Sequence, residues 1–216
     1  MDLMHTAHVP EGRGPFPTIV ALHGFGASAH DLLGLAPLIQ NGEVLFLCPQ
    51  GPMPIEPAPG QRAYGWFPLS QGGEIEPASL VGARGLIEAF LEDAMEMYPI
   101  DPDQLVLMGF SQGGVMAYDI ALGRPERFKA LVALSSWLPD AILGGLADDP
   151  ARASLVTLLM HGTKDPMIAI ENAHDARAKL AELGIDAAWG EYEMGHEINQ
   201  NALRDLVSWF ANGPFA

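Results

Sequence analysis

Leu105-Val106-Leu107-Met108-Gly109-Phe110-Ser111-Gln112-Gly113-Gly114-Val115-Met116-Ala117-Tyr118 is the stretch on which the fold turns. Four apolar residues read as a buried strand, Gly109 to Gly113 as a sharp turn, and Val115 onward as the start of a helix. Strand, turn and helix in this order form the G-x-S-x-G elbow, which presents a serine hydroxyl at the C-terminal end of a parallel strand. The turn forces the serine into a strained backbone conformation, and side chains at its flanks would collide with the neighbouring strand and helix. Glycine at both flanks answers that demand, and Gly114 adds further room for close packing. Ser111 is therefore the candidate nucleophile, against the plainer reading of a Gly-rich turn leading into a helix.

Outward from this stretch, short apolar runs alternate with longer stretches of helical period. Strands are expected over 18–22, 43–48, 104–108, 130–134, 154–160 and 187–192. Helices are expected over 31–39, 79–98, 111–122, 168–183 and 197–210. Alternation of this kind predicts an α/β chain with a mostly parallel sheet covered by helices. With 216 residues, 49% of them hydrophobic, the chain suffices for one full core, so a single domain over 1–216 is expected. Two stretches, 51–73 and 135–150, break the rhythm. Both follow strands, where long loops often carry function.

A hydrolytic serine needs donors for the oxyanion. The run Thr18-Ile19-Val20-Ala21-Leu22 leads straight into His23-Gly24-Phe25-Gly26, the position at which such a sheet supplies one backbone N–H. Phe25 and Gln112 are the expected donors, each worth about 3 kcal/mol in the barrier. His23 is read as a support for its own loop.

The acid and base follow in chain order. Leu155 to Met160 leads into His161-Gly162-Thr163-Lys164-Asp165-Pro166, and Glu193-Met194-Gly195-His196-Glu197 precedes the last helix. Asp165 at a strand end can hold an imidazole in one tautomer, although it could also simply cap the next helix. Of seven histidines, His5, His8 and His30 fall on expected surface segments, His174 lies within a helix, and His23 and His161 end strands. His196 alone fits the order Ser, Asp, His.

The rest of the composition excludes more than it assigns. Eleven Lys and Arg stand against 27 Asp and Glu, for a formal charge of −16, with no basic cluster. Nucleic acid and anionic membranes are poor partners for such a surface. No histidine pair has metal-ligand spacing, and Cys48, the only cysteine, reads as a buried strand residue, so neither metal nor cofactor is expected. A chain without a long apolar run or signal-like start is expected to reside in the cytoplasm, without stable membrane association.

Taken together, His23-Gly24-Phe25-Gly26, Gly109-Phe110-Ser111-Gln112-Gly113-Gly114, His161-Gly162-Thr163-Lys164-Asp165 and Gly195-His196 resemble the phospholipase/carboxylesterase family, which includes acyl-protein thioesterases. The likeness covers nearly the whole chain. It implies the α/β-hydrolase fold with a minimal lid or none, a Ser111-His196-Asp165 triad, and oxyanion donors at Phe25 and Gln112. Phe25 replaces the family's usual Leu, which implies an acyl pocket of different shape. Trp66-Phe67-Pro68 lacks the Asp that usually follows the aromatic pair.

The expected activity is a serine carboxylesterase acting on small-molecule esters of short to medium acyl chains. A lysophospholipase or acyl thioesterase would use the same triad, and a non-catalytic binding scaffold is the reading outside enzymes. Loop residues after strands are the candidate pocket walls: Phe25, Trp66, Phe67, Leu69 and Trp137, with Met53 and Leu138 beside them, then Met167 and Ile168. A homodimer is compatible with everything above.

Overall fold

The computed structural model describes residues 3–69 and 75–216. Residues 70–73, the end of the expected irregular stretch 51–73, lie outside the described residues. Seven strands form one sheet: β1 (His5–His8), β2 (Phe16–Leu22), β3 (Leu45–Pro49), β6 (Ile100–Phe110), β7 (Ala130–Leu134), β8 (Val156–Gly162) and β9 (Ala188–Tyr192). Their spatial order is β1-β3-β2-β6-β7-β8-β9, antiparallel only between β1 and β3. The strand that leads to Ser111 is thus central, with β2 on one side and β7 on the other.

Side chains alternate across this sheet with the period of two that a pleat demands. Val20, Leu22, Leu105 and Leu107 enter the apolar layer that holds helices α1 (Pro77–Met97), α2 (Gln112–Gly123) and α4 (Ile170–Glu182). Ile19, Ala21, Val106 and Met108 face the opposite layer, closed by the 3-10 segment Leu33–Gly42 and helix α5 (Gln200–Asn212). Both faces are covered, which is why the strands read as continuous apolar runs. From Gln112 to Leu122 every residue of α2 is buried, so the helix that starts directly after Ser111 is core on all sides.

Several local expectations change. The stretch 31–39 forms 3-10 turns rather than an α-helix, because Pro37 inside it has no N–H to donate, and the chain then kinks through positive φ at Gln40 and Asn41. His5 and His8 are not on a free surface segment. They belong to edge strand β1, where His5 Nε2 meets the Tyr98 hydroxyl at 2.7 Å and His8 Nε2 donates to the Gly42 carbonyl at 2.8 Å. Within 51–69 lies a hairpin, β4 (Met53–Ile55) paired with β5 (Ala63–Gly65), and 135–150 holds the one-turn helix α3 (Asp140–Leu143). The last helix starts at Gln200, later than expected, because the Asn199 side chain accepts from the Ala202 N–H and caps it there.

Glycine at the elbow is a packing requirement. A Cβ at Gly109 would stand 2.1 Å from the Gly113 carbonyl oxygen, and one at Gly113 would stand 2.0 Å from that of Leu22. Neither oxygen can retreat without breaking the sheet or the helix start. Gly113→Ala is expected to cost about 3 kcal/mol by urea denaturation. Gly85→Ala, on the exposed face of α1 with open space around it, is expected to gain about 1 kcal/mol.

Candidate active site

Strand β6 delivers Ser111 at φ 54° and ψ −119°, a conformation that a side-chain-bearing residue adopts only under constraint. The constraint is visible on both sides of the residue. Its N–H donates to the Leu134 carbonyl at 2.9 Å, carrying the β6–β7 pairing one step beyond the strand. Its own carbonyl accepts from the Gly114 N–H at 2.9 Å and from Ser136 Oγ at 2.8 Å. Ser136 is packed where a side chain at Gly114 would be, since a Cβ there would stand 2.5 Å from it. Ser136 was not among the expected site residues; its one outward sign was its place just after β7.

Gln112 is fully buried, and its side chain fastens a distant loop. Oε1 accepts from the Trp66 N–H at 2.8 Å, while Nε2 donates to the Phe67 carbonyl at 2.7 Å. The hairpin that precedes this loop in turn holds the turn after β2: Gly26 N–H donates to the Tyr64 carbonyl at 2.9 Å, and Tyr64 N–H to that of Ala27 at 2.8 Å. Gly26 sits at φ 80°, which lets the chain reverse directly after Phe25.

His23 has the supporting role expected of it. Nδ1 donates to the Gly24 carbonyl at 2.7 Å, and Nε2 accepts from the Gly51 N–H at 2.9 Å. Both ring nitrogens are occupied with the imidazole neutral, and burial lowers its pKa below the usual histidine value.

After β8 the chain forms a loop that grips a carboxylate. Asp165 Oδ1 accepts from the backbone N–H groups of Met167 at 2.8 Å and Ile168 at 2.9 Å, and Oδ2 accepts from His196 Nδ1 at 2.7 Å. Burial alone would raise its pKa, but the Ile168 N–H, His196 and the Met167 N–H outweigh that and hold it below the ordinary carboxylate value. His161 is buried beneath the loop. Its Nε2 donates to the Ile168 carbonyl at 2.9 Å and lies 3.5 Å from Asp165 Oδ2, and burial lowers its pKa. The His196 ring lies 4.9 Å from that of Phe110, so His196 packs against the residue that precedes Ser111.

Ser111 and His196 line one groove of about 420 Å³, walled by Phe25, Leu32, Leu35, Phe110 and Ile198. Of the expected pocket residues, only Phe25 is among its walls. Trp66 and Phe67 are core instead: Trp66 is 2% and Phe67 1% exposed, and the Trp66 indole N–H is spent on the His23 carbonyl at 2.8 Å. Leu138 is likewise buried, and Trp137 is half-buried against the same layer. Leu69 and Met167 are exposed but do not line the groove, Met53 stands half-buried on β4, and Ile168 contributes its backbone to Asp165. Leu32 and Leu35 escaped notice because they read as helix core, and Ile198 because it follows His196 in an unpatterned stretch. Cys48 is buried in β3, where burial pushes its thiol up to about 12, far from a reactive thiolate. Among the described residues, no group of three or more His, Cys, Asp or Glu side chains is placed to hold a metal ion.

The model of the phospholipase/carboxylesterase family matches residues 5–212. The chain belongs to this family. It is 30% identical to acyl-protein thioesterase 1 of Gibberella zeae over 212 residues, 89% of this chain and 88% of that protein. Carboxylesterase SOBER1 of Arabidopsis thaliana is 25% identical over 88% of both chains. Among solved structures, esterase PE8 superposes with a TM-score of 0.80 at 28% identity, covering 98% of this chain and 99% of its own. The expected α/β-hydrolase fold and an enzyme of the carboxylic ester hydrolase class stand on these matches. The described part of the two irregular stretches holds a two-stranded hairpin and a one-turn helix. Among the described residues, no helix is long and apolar enough to cross a membrane.

Two measurements test this construction. Gln112→Leu leaves the buried Trp66 N–H and Phe67 carbonyl unpaired, and a loss of about 2 to 4 kcal/mol is expected in urea denaturation. Because His23 and His161 are buried with lowered pKa values, the unfolded chain binds more protons than the folded one below the unfolded histidine pKa. Their stabilisation is complete above about pH 6.5 and is lost as the pH falls towards their folded values. The urea midpoint is therefore expected to fall between about pH 7.5 and about pH 5.5.

Proposed function

We propose that this chain hydrolyses uncharged carboxylic esters of short to medium acyl chains through an acyl-enzyme on Ser111. The observation that carries the reading is the 2.7 Å bond from His196 Nδ1 to Asp165, with His196 and the strained Ser111 opening into one groove. Donation through Nδ1 makes Nε2 the basic nitrogen. His196 Nε2 takes the proton of Ser111 Oγ as the oxygen attacks the carbonyl, and then gives it to the departing alcohol. Water repeats the sequence on the acyl-enzyme. Asp165 stays ionised throughout, fixes the tautomer and stabilises the imidazolium. The N–H groups of Phe25 and Gln112 receive the oxyanion, one from the turn held by Tyr64 and the other from the first residue of α2.

An apolar groove and a formal charge of −16 suit neutral substrates. A thioester is the second reading, favoured by the 30% identity to a protein named acyl-protein thioesterase 1. It changes the leaving atom from oxygen to sulfur and leaves each residue's role in place.

Ser111→Ala is expected to lower kcat/KM for 4-nitrophenyl butyrate by at least about 10⁴-fold, and Asp165→Asn by about 10³ to 10⁴-fold. In a chain-length series of nitrophenyl esters, acetate to octanoate should outpace palmitate. Fastest cleavage of the longest chains would contradict the acyl preference, and a matched thioester series decides between the two leaving atoms.

A further inference from the structure

The groove beside Ser111 has a direction that the triad imposes. In the tetrahedral intermediate, the former carbonyl carbon holds Ser111 Oγ, the oxyanion, the acyl carbon and the leaving oxygen. His196 carries the proton taken from Oγ and must hand it to the leaving oxygen, which therefore lies within about 3 Å of Nε2. Whatever is bonded to that oxygen lies against the imidazole. The surface there is apolar: Phe110, its ring 4.9 Å from that of His196, Ile198 two residues beyond the base, Leu35 from the 3-10 segment and Leu32 just before it. Phe25 closes one end. Its ring packs so tightly towards the hairpin that a Cβ at Gly65 would stand 3.0 Å from it and 3.1 Å from the Met53 methyl. The charged residue on the groove wall is Asp31, exposed and anchored by a bond from the Ser28 N–H to its Oδ2 at 2.6 Å.

Building on the hydrolase reading above, we propose that this groove is the leaving-group subsite and that it selects neutral, apolar alcohols, alkyl or aryl, with Asp31 turning away anionic ones. The groove's volume of about 420 Å³ accommodates an alcohol larger than methanol or ethanol. By microscopic reversibility the same walls receive an alcohol that attacks the acyl-enzyme. Its hydroxyl proton passes to His196 Nε2, its oxygen bonds to the acyl carbon, the bond to Ser111 Oγ breaks, and Oγ recovers the proton. A new ester and free enzyme result, with no other reactant consumed.

The experiment forms the acetyl-enzyme from 4-nitrophenyl acetate in the presence of methanol, 1-hexanol, benzyl alcohol or 4-(hydroxymethyl)benzoate at equal concentration. Acetate and the new acetyl ester are then quantified. The expected result is capture by 1-hexanol and benzyl alcohol at least about tenfold above methanol. Leu35→Trp and Ile198→Trp, each filling the groove, should cut that preference about tenfold while the ratio of butyrate to acetate hydrolysis changes by less than about twofold. Capture of the benzoate should be poor and should improve in Asp31→Asn. Equal capture of methanol and 1-hexanol by the wild-type enzyme, which requires no variant, would overturn the proposal. A shift in acyl selectivity rather than alcohol selectivity in the tryptophan variants would do the same. Absence of nitrophenolate release would instead overturn the hydrolase reading beneath it.

Discussion

The contact between the backbone at Gly113 and the carbonyl of Leu22 governs the rest of the molecule. Helix α2 can begin directly at the end of β6 only because no side chain intervenes there, and the 2.0 Å clearance for a Cβ shows how little space remains. That approach bends the chain into the elbow and forces Ser111 to φ 54°. Such a conformation costs on the order of 1 to 3 kcal/mol and persists only when its surroundings over-determine it. The surroundings here are the bonds from Ser111 to Leu134 and Ser136 and a helix buried from Gln112 to Leu122. In the proposed mechanism strain and function share one origin: the conformation that costs stability also presents the hydroxyl to the groove.

Around this point, buried polar side chains turn separate loops into one rigid platform. Gln112 reaches from the elbow to the 66–67 backbone, His23 ties the turn after β2 to Gly51, and His161 holds the carbonyl of Ile168, the residue whose N–H grips Asp165. Each of these side chains satisfies backbone groups that would otherwise be buried without partners, so the loops are held by hydrogen bonds whose loss is costly. In the proposed mechanism the geometry at the serine is thus maintained by side chains that do not themselves touch substrate; Gln112 offers only its backbone N–H to the oxyanion.

Much of this was legible in the sequence. The runs around Val20, Leu107, Val132 and Leu159 marked β2, β6, β7 and β8, because strands buried on both faces are apolar throughout. The order of Ser111, Asp165 and His196 was readable from motifs at strand ends, and the structure brings the latter two into contact. What escaped detection depended on partners far along the chain. Trp66 and Phe67 sit in a stretch rich in Pro and Gly and looked like loop aromatics. Their burial depends on a glutamine 46 residues away for Trp66 and 45 for Phe67, which no local pattern reveals. Strand β1 has no apolar run because it is a half-buried edge, and its histidines are absorbed by Tyr98 and Gly42. The groove walls were missed because Leu32, Leu35 and Ile198 belong to segments on both sides of the serine that only the fold unites.

The central claim is that the strained serine at the end of β6 becomes acylated. Acid-quenching the enzyme during turnover of 4-nitrophenyl butyrate, followed by intact-mass and peptide mass spectrometry, tests it most directly. The account predicts one butyryl group per chain, carried on the peptide that contains Ser111. A burst of nitrophenolate with the butyryl group on another residue, or an adduct that persists in Ser111→Ala, would contradict it.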